Sequence, residues 1–127
     1  MELSKIKEIN GASLAYLGDA IWEWKIREHF FNKNLLVDKL HKLSIKYVNA
    51  KCQSQIFEQE KGEIDEEAFK AAKRSKNTNI KSFPNSCSKE EYKNATAFEA
   101  LVGYYYLTDQ IEKIDSLIDK YILKSEG

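Results

Sequence analysis

The stretch LAYLGDAIWEW, Leu14 to Trp24, decides the fold. Its apolar residues recur at helical spacing, with Leu14, Leu17, Ile21 and Trp24 on one stripe, so it reads as a helix bound for the core. Two residues in its middle oppose that reading. Gly18 is the poorest helix former apart from proline, and Asp19 is a charge, so placing both in a buried helix costs stability. A close helix contact and a site that needs a carboxylate are the two returns such a placement offers.

The same periodicity extends outward. One proline and five glycines in 127 residues, with apolar side chains mostly at a 3.6-residue period, predict an all-α helical bundle that spans 1–127 as a single domain. Asn10 is a good N-cap for the first helix, which is expected to run to about Phe31. A second helical region starts near Val37, carries Leu36, Leu40, Leu43 and Tyr47 as its stripe, breaks near Asn49 and continues through Ile56 and Phe57. Asp65, Glu66 and Glu67 favour the start of a third helix that ends near Ser75, since acids suit a helix N-terminus. Lys76 to Cys87, which holds the single proline, is the longest irregular segment. Ser88 with Glu91 makes a capping box for a helix through about Leu107. Asp109 with Glu112 marks the cap of a closing helix bearing Ile111, Ile114, Ile118, Tyr121 and Ile122.

Bulk composition narrows the function only a little. The 20 cations balance the 20 acids, so no basic total announces a nucleic-acid partner, although a local basic face is all such binding requires. Cys52 and Cys87 have neither CxxC spacing nor a histidine pattern beside them, which disfavours a disulfide scaffold or a zinc site and suits a reducing compartment. The start, MELSKIKEIN, lacks the apolar core of a signal peptide, and no run approaches the roughly 20 apolar residues of a spanning helix. The expected location is cytoplasmic, with no membrane partner.

A second unusual stretch, ATAFEALVGYYY, lies in the helix that Ser88 opens. Ala95, Glu99 and Gly103 fall at i, i+4 and i+8, as Ala12, Ala15 and Asp19 follow an i, i+3/i+4 line in the first helix. Small side chains let two helices approach closely, and opposed acids then converge. Converging carboxylates repel each other. A divalent cation removes that conflict, and Mg²⁺, a hard ion that takes one or two carboxylates and keeps several waters, is the natural occupant. The competing reading is tight packing alone, with both acids turned to solvent. Spacing leaves both open.

LAYLGDAIWE and ATAFEALVGYYYL resemble the paired motifs of the ribonuclease III catalytic domain. They are most similar to its short bacterial branch, Mini-ribonuclease III, which consists of that domain without a separate double-stranded-RNA-binding domain. LHKLSIKYVNAKCQSQI, Leu40 to Ile56, resembles a third segment of the branch in His41, Ala50, Lys51 and Gln53. The resemblance implies a ribonuclease III-like homodimer that hydrolyses double-stranded RNA with Mg²⁺. It further implies precursor 23S ribosomal RNA as substrate, trimmed at its paired ends, with a ribosomal protein on that substrate as a possible further partner. Asp19 and Glu99 stand at the motifs' catalytic, metal-binding acids, and Tyr16 at the aromatic of the dimer contact.

Longer members of the family carry four acids at this centre, and here Ala15 and Thr96 occupy the other two positions. That departure leaves the number of metal ions open. Thr96 and Glu23 are the candidates for orienting a water at the metal, although Glu23 reads equally well as a solvent-exposed acid. It also motivates a rival function, an inactive ribonuclease III-like module that only holds RNA. A second rival is a helical interaction protein whose small-residue stripes serve packing alone. No side-chain nucleophile is evident: His29 and His41 lack a partnered Ser or Cys pattern, which suits hydrolysis by a metal-activated water. His29 is expected to be structural, whereas His41 is open between an RNA contact and helix packing. Cations must bring RNA to the acids. Lys73, Arg74, Lys76 and Lys81, in a run with no acid from Lys70 to Lys81, and Lys51 are the expected phosphate contacts.

Overall fold

Asn10 starts the longest helix as its chemistry requires: its side-chain oxygen accepts the backbone N–H of Ser13 at 2.8 Å. The computed structural model describes residues 1–32, 34–76 and 82–122. Over these the chain forms α1 (Leu3–Ile6), α2 (Gly11–Phe30), α3 (Val37–Ile45), α4 (Ala50–Glu60), α5 (Glu66–Lys76), α6 (Lys89–Leu107) and α7 (Ile111–Tyr121), with no strand among the described residues. The expected all-α class is therefore what is found.

Two local devices fix the helix boundaries. The capping box of α6 is complete: Ser88 Oγ accepts the Glu91 N–H at 3.1 Å, and the Glu91 carboxylate accepts the Ser88 N–H at 2.8 Å. Asn49 closes two helices with one side chain. Its oxygen accepts the Cys52 N–H at 2.9 Å, and its amide donates to the carbonyls of Ile45 and Lys46 at 3.1 and 3.0 Å. The expected break there is thus a C-terminus and an N-terminus bonded through the same amide.

The central pair is α2 and α6, the two helices with the most extensive mutual contact; α4 and α5 pack against α6 as well. Trp22 and Phe98, both fully buried, meet edge to face with centroids 4.8 Å apart. The Trp22 indole N–H donates to the Tyr47 carbonyl at 2.8 Å, so its polar atom is satisfied inside the core. Asn94, also buried, donates to Ser54 and Glu58 at 3.2 and 2.8 Å and joins α6 to α4. Lys25 is drawn between Asp115 of α7 at 2.6 Å and Glu28 at 3.3 Å.

Three details differ from the sequence reading. Asp109 does not cap α7. It adopts φ 59° after α6, where its N–H bonds the Tyr106 carbonyl at 3.1 Å and the next N–H, of Gln110, bonds Tyr105 at 2.8 Å. This is a Schellman C-terminus, and Asp is among the few residues that tolerate its left-handed position. Trp24 is not on the buried stripe; it is half exposed, because the buried sector of α2 runs through Leu14, Gly18, Ile21, Trp22 and Ile26. Leu36 precedes α3 as its N-cap and is exposed rather than buried with Leu43.

Candidate active site

Gly18 explains how two helices with a charge between them can touch. A Cβ on Gly18 would overlap the Glu99 carbonyl oxygen and stand 2.6 Å from its carbon. A Cβ on Gly103 would in turn overlap the Leu14 carbonyl oxygen. The backbones of α2 and α6 are therefore in direct contact at this crossing, which any side chain would prop apart. Asp19 follows Gly18 in sequence, so the crossing that needs the glycine also delivers the carboxylate.

The two acids expected to converge do so. Asp19 is exposed and Glu99 half buried, and their carboxyls are hydrogen-bonded to one another. Burial, then the hydrogen bond to Asp19 and its negative charge, push the Glu99 carboxyl up to about 9 from an ordinary 4.5. A proton at neutral pH thus holds the pair together. A divalent cation relieves the same repulsion by another route, so this donor set fits a hard ion such as Mg²⁺. Among the described residues no set of three or more His, Cys, Asp or Glu side chains is gathered in a metal-binding arrangement.

The neighbouring candidates divide. Thr96 is one turn before Glu99; its hydroxyl donates to the Tyr92 carbonyl at 2.8 Å, which leaves oxygen lone pairs to accept a hydrogen bond. Ser75, at the end of α5, donates to the Thr96 carbonyl at 3.3 Å. Ala15 is buried, with 6% exposure, so that position is filled by packing. Glu23 is ion-paired with Arg27 at 2.8 Å and lines a shallow groove on the outer face of α2 with Ala20, Trp24 and Phe31. Tyr16, at 85% exposure, is also on α2.

The expected RNA contacts do not form a single patch. His41 and Lys51 are exposed on α3 and α4, and Lys73 is exposed on α5. Arg74 turns inward instead, its guanidinium donating to the carbonyls of Ile6 and Ile9 at 3.2 and 3.3 Å. Lys76 is half buried, paired with Glu90 at 3.3 Å and set over the Phe57 ring at 6.0 Å from its centroid. Lys81 lies outside the described residues. The sequence reading missed Lys7, which sits beside α5 because α1 does; a four-residue helix leaves no periodic signal to find.

Residues 12–110, which hold both acids and both glycines of the crossing, match the family model described as the ribonuclease III domain. The chain belongs to the ribonuclease III family. It is 44% identical over 121 residues to a Mini-ribonuclease 3-like protein of Ilyobacter polytropus, with 95% of each chain covered. It is 36% identical to a Mini-ribonuclease 3 of Clostridium tetani over 89% of this chain and 76% of that one. A crystal structure of a protein from Fusobacterium nucleatum, 43% identical, superposes with a TM-score of 0.83 over 90% of this chain and 92% of the other. Membership of the ribonuclease III family makes the chain an endoribonuclease, with the fold those relatives share. No helix among the described residues is long and apolar enough to cross a membrane.

Proposed function

We propose that this ribonuclease is a Mg²⁺-dependent homodimer that cleaves double-stranded RNA and trims the paired ends of precursor 23S ribosomal RNA in the cytoplasm. The observation that carries the reading is the contact between Asp19 and Glu99, two carboxyls held against each other across a backbone-to-backbone helix crossing. When bound there, the ion supplies an acidified water and Lewis-acid relief at a phosphate oxygen. Asp19 and Glu99 would hold it, its charge standing in for the proton that otherwise joins them. Thr96, its hydroxyl hydrogen already given to the Tyr92 carbonyl, would accept a hydrogen bond from a water beside the pair and so orient it. Glu23 is the weaker of the two candidates for that role, because Arg27 already engages it.

The dimer reading is supported by the outer face of α2, where Tyr16 and Trp24 are exposed on a helix whose other face is core, with Phe31 exposed just beyond its end beside Trp24. Large apolar side chains clustered on a surface mark an interaction site. The ribosomal substrate rests on the resemblance to the short branch. Its test is a precursor transcript with base-paired 23S termini, offered alone and with ribosomal protein bound. Trimming within the paired stem supports the assignment, whereas a transcript left whole by protein that cuts other duplexes contradicts it.

A further inference from the structure

We propose that a groove between α1 and α5, lined by Lys7, Lys70 and Lys73, grips the phosphate backbone of the RNA duplex beside the catalytic acids. The inference rests on the double-stranded-RNA reading above and adds residues to it. The groove, about 480 Å³ in volume, is lined by Lys7, Glu67, Lys70, Lys73 and Arg74, four cations to one acid. Arg74 builds it. By donating to the carbonyls of Ile6 and Ile9, it fixes the end of α1 against α5 and sets Lys7 opposite Lys70 and Lys73.

The lysines are held loosely enough to be exchanged. Lys7 and Lys70 each reach Glu67 only at 3.8 Å, and Lys70 reaches Glu66 at 3.5 Å. Exposed ion pairs of this kind contribute little, so a phosphate competes with them readily. Lys73 forms no ion pair among the described residues and is exposed.

The helix that lines the groove also reaches the site at its C-terminal end. Ser75, two residues beyond Lys73, bonds the carbonyl of Thr96, and a Cβ on Gly11 at the start of α2 would stand 2.8 Å from the Arg74 carbonyl carbon. The end of α5 is therefore wedged between α2 and the turn of α6 that precedes Glu99. Two acids repel a polyanion, and a duplex is held mainly through its backbone, so binding requires cations near the acids.

The test measures affinity for a long RNA duplex against salt concentration, with chelator present so that nothing is cut. Lys7→Gln, Lys70→Gln and Lys73→Gln are compared singly and together with the parent, and melting temperatures confirm that each variant folds. Each lysine that meets a phosphate is expected to lower the log–log salt slope by about 1 when removed. A triple variant with the parent's affinity and slope overturns the groove while leaving the ribonuclease reading intact. A parent that neither binds nor cuts the duplex overturns both.

Discussion

Gly18 of α2 lies directly on the backbone of Glu99 in α6, with no room for a methyl group between them. This contact brings the Asp19 and Glu99 carboxyls within hydrogen-bonding reach, so helix packing and chemistry depend on the same residue. Replacing Gly18 with alanine forces a Cβ into the Glu99 carbonyl, and backbone cannot turn aside as a flexible side chain would. The expected cost is about 3 kcal/mol or more, read by denaturant unfolding. Gly62 is the contrast: a Cβ there meets nothing within 4 Å. Gly62→Ala is expected to be neutral or to stabilise by about 0.4–1 kcal/mol through the unfolded chain. Equal effects at the two glycines would contradict the packing argument.

The carboxyl pair makes stability depend on pH when metal is absent. Glu99 binds its proton more tightly in the folded protein, at about 9, than at its ordinary 4.5. The folded state therefore holds more protons between these values, and stability falls as pH rises through that window. Glu99→Gln removes the burden. In chelator its melting temperature should gain on the parent's progressively from about pH 4.5 towards about pH 9. Parallel melting profiles across the range would show that Glu99 does not carry the proton.

Tyr16, at 85% exposure, can accept a charge without disturbing the core. In a dimer joined through the outer face of α2, the same charge must be desolvated. Tyr16→Asp should therefore melt close to the parent in dilute solution but sediment as a monomer where the parent sediments as a dimer. A parent that is already monomeric contradicts the dimer itself, and a variant that stays dimeric places the interface elsewhere.

The elements that the sequence specifies locally were legible in it. Asn10, Asn49 and the Ser88–Glu91 box each complete a cap within a few residues of chain, so their helices begin where chemistry says they should. The meeting of Asp19 and Glu99 was legible too, because Gly18 beside Asp19 and Gly103 one turn from Glu99 are costly unless two helices meet there. What could not be read depends on tertiary direction. A run of cations does not say that Arg74 turns in to hold α1 while Lys73 stays out, since both are long, charged and adjacent. Nor does an acid near a helix start distinguish a cap from the left-handed residue that ends the previous helix, which is what Asp109 became. The stripe of α2 was displaced for a related reason: Trp22 and Trp24 both look like core, and only the position of Phe98 selects Trp22.

The most direct test of the central claim is cleavage of a long RNA duplex by the parent and by Asp19→Asn, each with Mg²⁺ or with chelator. Asp19 is exposed, so the variant should fold and melt much as the parent does. The account predicts that the parent shortens the duplex only with Mg²⁺ and that Asp19→Asn leaves it whole under both conditions. A well-folded Asp19→Asn protein that cuts like the parent, or a parent that cuts equally well in chelator, contradicts it.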